Sequence, residues 1–501
     1  MILGVGAWYL SQKCILFTDE IYTFGLANSY YQPFLQRPAD GSGILASPER
    51  YSDYLTVTGH PFSYGSVLYN QIWDVHPPLY YFFIHTVCSI APDLPLMYAG
   101  FTVNAFFAVL TIFCLFAFSY RKFGRVTAYA LTLSYGLSTS FFSMFMLFRM
   151  YMALTLFTVM LTAILYELYL HSSAKYLRML AFTLCMGALT HYYFLVYAFF
   201  ICLLFAVLLC GEKRWKELGN AVASAVATGG IYYSIWGGVL ICHLFGTSGT
   251  SAFSNLVGGD SALARLKDYA RLYIEELSKN RKLAYCILVI ASMTVFLVIL
   301  TSIRKRSYQW LKGYFLLFLP ALCSFVIVAL SNSSTVVDRY LYNLVPFAWI
   351  ALWAGLSFVL KSAAVQTVVA AAVVAADAYV SFFCAAPSYL FLEYKSTIDY
   401  LEERGSDTIC IYYKNMPWYT ESICVNFLIN YETSYIVDVD LMDWLREQTF
   451  EGDDNILLLT ENASCLEEVL EITGCSGYEM IGLYSPIEAD TFYVAAYELI
   501  R

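Results

Sequence analysis

Apolar residues along this chain fall into long runs separated by short polar breaks. A helix that crosses a bilayer needs roughly 20 apolar residues. On that measure eleven segments are expected to span: 1–17, 95–120, 126–147, 150–170, 177–191, 194–210, 218–241, 283–303, 313–331, 340–360 and 364–385. Basic clusters occupy short loops between them: Arg121, Lys122 and Arg125; Lys175 and Arg178; Lys213, Arg214 and Lys216; Arg304, Lys305, Arg306 and Lys312; and Lys361. Loops rich in Lys and Arg stay in the cytoplasm. The amino terminus is therefore expected inside and the residues after 385 outside. The first run has neither the charged start nor the cleavage site of a signal peptide and is read as an anchor. The run 78–90 is too short to cross and is expected to lie along the outer interface as a juxtamembrane helix.

Three outer regions remain. In 18–94, Ser47 followed by Pro48 predicts a helix start. In 242–282, the Gly- and Ser-rich part 246–259 is expected to be mobile. Its continuation repeats apolar residues at Leu263, Leu266, Ala270, Tyr273 and Leu277, the spacing of an amphipathic helix. Lys267 and Arg271 on that helix suit anionic headgroups or a lipid phosphate, or an ordinary surface. The tail alternates β-rich runs (409–413, 434–437, 456–459, 492–496) with helical stretches such as 466–472, the order of a small α/β domain with a partly parallel sheet.

Composition sharpens the division. Apolar residues make up 59% of the chain and charged ones only 13%, as in a polytopic membrane protein. Residues 1–385 carry 24 Lys and Arg against 16 Asp and Glu, whereas 386–501 carry 5 against 22. The expected architecture is thus a polytopic α-helical membrane domain over 1–385, with about 11 transmembrane helices, and a small soluble acidic α/β domain over 386–501. So acidic a tail argues against nucleic acid as a partner. It holds no glycine-rich phosphate loop. Asp438-Val439-Asp440 has the Asp-x-Asp form of some metal-binding sugar enzymes, a match common by chance. Disulfides among Cys410, Cys424, Cys465 and Cys475 are allowed outside the cell, with the pairing open.

Chemistry gathers at the outer ends of the predicted spans. Thr18-Asp19-Glu20-Ile21-Tyr22 follows the first, and paired carboxylates there serve as a base, hold a cation or position a hydroxyl. Asp74-Val75-His76-Pro77-Pro78-Leu79-Tyr80 sets an acid and an imidazole before a stiff proline pair. Arg149-Met150-Tyr151 opens one span, Thr190-His191-Tyr192-Tyr193 closes another, and Asp338-Arg339-Tyr340 precedes a late one. Asp377 lies deep within the last span.

In order and spacing these motifs resemble glycosyltransferase family 39 of the GT-C fold, which includes protein O-mannosyltransferases and bacterial aminoarabinose transferases. The likeness covers most of residues 15–350; Phe148 stands where many relatives carry a polar or acidic residue. It implies a bacterial plasma-membrane enzyme that moves a sugar from a polyprenyl-phosphate-linked donor to an acceptor hydroxyl on the extracytoplasmic face. For that reaction Asp19 is the candidate base, and Glu20 or Asp74 would orient acceptor or sugar. Arg149, Arg339 and His76 would hold the leaving phosphate, with Tyr151 and His191 lining the site. The residues fix no cofactor and leave a divalent metal open, and the acceptor stays open among protein, lipid and cell-wall glycan. A transporter or lipid-linked sugar flippase with an outer binding domain is the alternative. Ion-coupled transporters place ionisable groups near the midplane and repeat their halves. Here one deep acid and no obvious repeat are found. A non-catalytic assembly or sensor protein leaves the motifs unexplained.

Overall fold

The computed structural model describes residues 1–35, 42–257, 262–332, 336–405, 407–414, 421–451, 455–485 and 493–501. Among them eight helices are long and apolar enough to cross a membrane: Leu96–Phe123, Tyr151–Leu170, Tyr192–Gly211, Trp215–Phe245, Arg281–Lys305, Tyr308–Ser331, Asp338–Val359 and Ala363–Phe383. The chain is a mostly helical integral membrane protein. The other three expected segments form shorter helices: Ile2–Leu10, then Arg125–Gly136 with Thr139–Met146, and Ala174–Ala188. The middle one breaks because Ser138 caps a new helix, its hydroxyl accepting from the Phe141 amide at 3.2 Å.

The chain forms two compact units. The first comprises residues 1–7, 75–80 and 101–388. Every backbone group of a spanning segment must be paired inside it, which favours helices. Tyr151–Leu170 is surrounded by other helices, with 83% of its span buried, against 17% for Ala363–Phe383. Close packing rests on small residues. A Cβ on Gly355 would stand 2.5 Å from Thr294 and 2.7 Å from Tyr314, so only glycine lets Arg281–Lys305, Tyr308–Ser331 and Asp338–Val359 approach as they do. Charges of the basic loops find partners: Lys122 pairs with buried Glu167 at 2.6 Å, and Lys312 with Glu212 at 2.9 Å.

The amphipathic helix is present as Ala262–Leu277. The Gly- and Ser-rich stretch before it is helical over Thr247–Val257, while 258–261 lie outside the described residues. Its poor propensity is overcome by tertiary bonds: Asn255 donates to the Ser331 carbonyl at 3.4 Å and accepts from buried Arg265.

The second unit comprises residues 8–74, 81–100 and 389–501. Its sheet has six strands: β1 (Ile44–Ala46), β2 (Thr408–Tyr413), β3 (Thr433–Val437), β4 (Asn455–Thr460), β5 (Gly477–Tyr484) and β6 (Val494–Ile500), in the order β1-β3-β2-β4-β6-β5. β3, β2 and β4 are parallel and the remaining pairs antiparallel. The partly parallel sheet agrees with the sequence expectation; Phe492, the expected start of the last strand, lies outside the described residues. β1 and β5 were not expected. β1 has only three residues, and β5 is interrupted by a bulge between Met480 and Gly482. Ile411, Val437, Leu458, Val469 and Leu499 form the core on one face. The four tail cysteines are buried free thiols. Helices Thr18–Asn28, Pro48–Leu55 and Tyr64–Trp73 fall within residues 18–94, and Ser47-Pro48 starts its helix as expected. The apolar run near 78–90 is the helix Leu79–Ile90.

Candidate functional site

In the first unit, a tight turn between Thr139–Met146 and Tyr151–Leu170 carries Arg149, whose amide donates to the Leu147 carbonyl at 2.7 Å. Asn104 holds the turn. Its amide donates to the carbonyls of Phe145 (2.9 Å) and Leu147 (2.8 Å), and its oxygen accepts from the Tyr80 hydroxyl at 2.9 Å. Tyr80 belongs to the motif that begins Asp74-Val75-His76. One buried amide thus ties two motifs that are far apart in sequence.

His191 caps Tyr192–Gly211: its Nδ1 accepts from the Tyr193 amide at 3.0 Å, which places the proton of a neutral ring on Nε2. That Nε2 is buried with no hydrogen-bond partner among the described residues. The next turn is tied to the proline platform, since Leu79 donates to the Leu189 carbonyl at 2.9 Å. The His191 ring lies 5.6 Å from His76, 5.6 Å from Tyr151 and 4.9 Å from Tyr193, and interacts electrostatically with Arg149. Tyr340 closes the row, 5.3 Å from Tyr193 and 6.4 Å from Tyr151, with the Arg339 guanidinium 5.5 Å from its ring. Arg149, Arg339, His76 and His191 therefore gather around Tyr151, Tyr193 and Tyr340.

Behind this group, Tyr192 bonds the His243 Nδ1 at 2.8 Å and accepts from the Trp236 indole at 3.1 Å. Glu276, at the end of Ala262–Leu277, is buried and holds Ser140 and Lys279. Burial pushes its carboxyl up from the ordinary range, against the pull of Lys279. Asp377 is buried beside Ser278.

In the second unit, Asp19 and Glu20 occupy the first turn of Thr18–Asn28. Asp19 is half-buried. Glu20 is fully buried, paired with equally buried Lys13 at 3.0 Å, and its carboxylate accepts from the Phe17 amide at 2.7 Å. That second bond caps the helix, the glutamate half of a capping box. Asp74 ends Tyr64–Trp73 and accepts from the Tyr81 hydroxyl at 3.5 Å. Tyr54 feels Tyr22, Asp74 and Tyr81 electrostatically, and burial raises its phenol well above the usual range. Asp438 of the Asp-x-Asp match accepts from the Asp440 amide at 3.2 Å, a local cap. Among the described residues no three His, Cys, Asp or Glu side chains are grouped to hold a metal ion. No step below runs through a metal.

Sequence reading missed Asn104, Tyr340 as the ring beside Arg339, and the pairing of Lys13 with Glu20. Only the last left a signal, a lone lysine in an apolar run shortly before a carboxylate.

No family model matches the chain, and no curated protein matches it. Solved structures do, among them two of one protein. The crystal structure of ArnT from Cupriavidus metallidurans bound to undecaprenyl phosphate is similar with a TM-score of 0.56, over 99% of this chain and 96% of that one, at 12% identity. The same protein in the apo state gives 0.50 over 84% and 87%, at 11% identity. The likeness spans nearly the whole chain and shows its fold: a GT-C arrangement of membrane helices with a small carboxy-terminal sheet.

Proposed function

We propose that this protein is a membrane glycosyltransferase of the family 39 type, moving a sugar from a polyprenyl phosphate to an acceptor hydroxyl on the extracytoplasmic side of a bacterial plasma membrane. The observation that carries the reading is the gathering of Arg149, Arg339, His76 and His191 around three tyrosines. It occurs on the fold of a protein whose structure holds undecaprenyl phosphate.

The chemistry follows from these groups. The acceptor oxygen attacks the anomeric carbon, the bond from that carbon to the lipid phosphate breaks, and the electron pair leaves on the phosphate. Negative charge grows there, and fixed cationic donors stabilise it most at the transition state. Arginine suits this task because its forked donors match phosphate and stay charged. The acceptor proton goes to Asp19, half-buried in the first turn of its helix. Asp74, placed by Tyr81, orients the acceptor or the sugar. Attack opposite the leaving phosphate inverts the anomeric centre.

Binding of undecaprenyl phosphate to the purified protein tests the phosphate half directly. Arg149→Ala should weaken binding or turnover by about a hundredfold, near 3 kcal/mol for one lost oxyanion donor. Normal values of both would remove Arg149 from the phosphate site. The transporter reading draws on Asp377, an acid buried within Ala363–Phe383. It requires Asp377→Asn to stop lipid-linked sugar crossing proteoliposome membranes. The transferase reading requires crossing to be unaffected and transfer to depend on Asp19.

A further inference from the structure

Residues 13–22 lead into and carry Asp19, and within the second unit the carboxy-terminal region holds them at separate points. Lys13 donates to the Tyr389 carbonyl at 2.8 Å, and the Cys14 amide donates to the Leu390 carbonyl at 2.9 Å. Leu16 is held twice by one side chain. Its amide donates to the Asn426 oxygen at 3.1 Å, and its carbonyl accepts from the Asn426 nitrogen at 2.9 Å. The Ser422 hydroxyl donates to the Tyr22 hydroxyl at 2.9 Å. The Phe17 ring packs 5.3 Å from Tyr389 and 6.4 Å from Phe391.

The holding segment is itself braced. Buried Glu421 accepts from Arg50 Nε at 3.0 Å and from the Tyr51 hydroxyl at 2.9 Å, both on helix Pro48–Leu55. Cys424 and Tyr484 bond at 2.6 Å, joining the segment to β5. Backbone groups in an irregular stretch must find partners when shielded from water. Here local residues pair the amides of Lys13 and Phe17, while Leu390 and Asn426 supply the partners of the Cys14 amide and of both Leu16 backbone groups. A tail that merely carried a ligand site on a tether would make no such bonds.

We propose that the carboxy-terminal region is a splint for the amino-terminal carboxylate, and that Asn426 is the positioning residue that sets where Asp19 stands. The two arms of its amide grip both sides of Leu16, three residues before Asp19, and fix the chain in place and rotation as a neighbouring strand does. A misplacement of about 1 Å at a reacting group costs on the order of a hundredfold in rate, so a loosened grip acts on turnover and not on donor affinity. The proposal rests on the reading of Asp19 as the base.

Full-length Asn426→Ala, in lipid nanodiscs and in cells, tests it. Hydrogen exchange at the Leu16 amide should quicken about tenfold, as for one lost hydrogen bond, while β2 and β4 keep their protection. Affinity for undecaprenyl phosphate should stay within about twofold, and turnover should fall about a hundredfold. Asn426→Asp, which keeps the acceptor for the Leu16 amide but loses the donor arm, should fall between Ala and wild type. Unchanged exchange at Leu16, or wild-type turnover in Asn426→Ala while Asp19→Asn is inactive, overturns the splint. If Asp19→Asn itself turns over normally, the reading of Asp19 fails, and the Leu16 exchange then decides the splint alone. Should Asn426→Ala unfold the sheet, Asn426→Asp and Ser422→Ala carry the same comparison.

Discussion

Asp19 and Glu20 are adjacent in sequence, yet their surroundings differ. Glu20 is buried against Lys13 and caps its own helix, whereas Asp19 stays half-buried. Removing one partner of a buried pair leaves the other charge uncompensated, a cost of about 3–5 kcal/mol. Glu20→Gln should therefore lower the thermal unfolding temperature markedly, and Lys13→Met should do the same. Asp19→Asn should leave unfolding unchanged and abolish transfer. A stable Glu20→Gln protein would show that the Lys13 contact contributes little. The acid pair was legible in the sequence because two carboxylates follow an apolar run. The difference in their surroundings was not, because it depends on the turn that brings Lys13 back over the helix start. Arg149 was legible as a charge at a span's end. Asn104, which holds its turn, looks in sequence like any polar residue in an apolar segment.

Elements show the same contrast between local and long-range information. Long apolar runs announced the spanning helices, and the period of Leu263, Leu266, Ala270, Tyr273 and Leu277 announced Ala262–Leu277. Thr247–Val257 was hidden because its Gly, Ser and Thr residues favour turns, and bonds to Ser331 and Arg265 overrule them. Helix Thr18–Asn28 depends on one close approach: a Cβ on Gly25 would stand 2.0 Å from the Tyr54 ring. Gly25→Ala forces that ring or the helix to move, an overpacking cost of about 1–3 kcal/mol. The expected result is a lower unfolding temperature together with reduced turnover, since the same helix carries Asp19. Full turnover and stability in Gly25→Ala would mean that Tyr54 swings away freely.

At the scale of the whole molecule, the swing in charge near residue 385 and the β-rich runs made the tail legible as a small α/β domain. Its tie to residues 18–94 was not. β1 pairs with β3 across nearly four hundred residues, and three residues carry no strand signal of their own. The ordered motifs at 19–20, 74–81, 149–151, 190–193 and 338–340 suggested one reaction centre. Within the first unit the structure brings His76, Arg149, Tyr151, His191, Arg339 and Tyr340 into one group. The sugar and acceptor were never legible, because they depend on side-chain shapes that no short motif encodes.

The most direct test of the transferase reading is mass spectrometry of lipid-linked sugars and surface glycans from cells with wild-type protein, Asp19→Asn or no protein. The account predicts accumulated polyprenyl-phosphate sugar and one missing glycan modification, equally in the mutant and the null. A defect in the null alone, with Asp19→Asn matching wild type, would contradict it and favour a transport or assembly role.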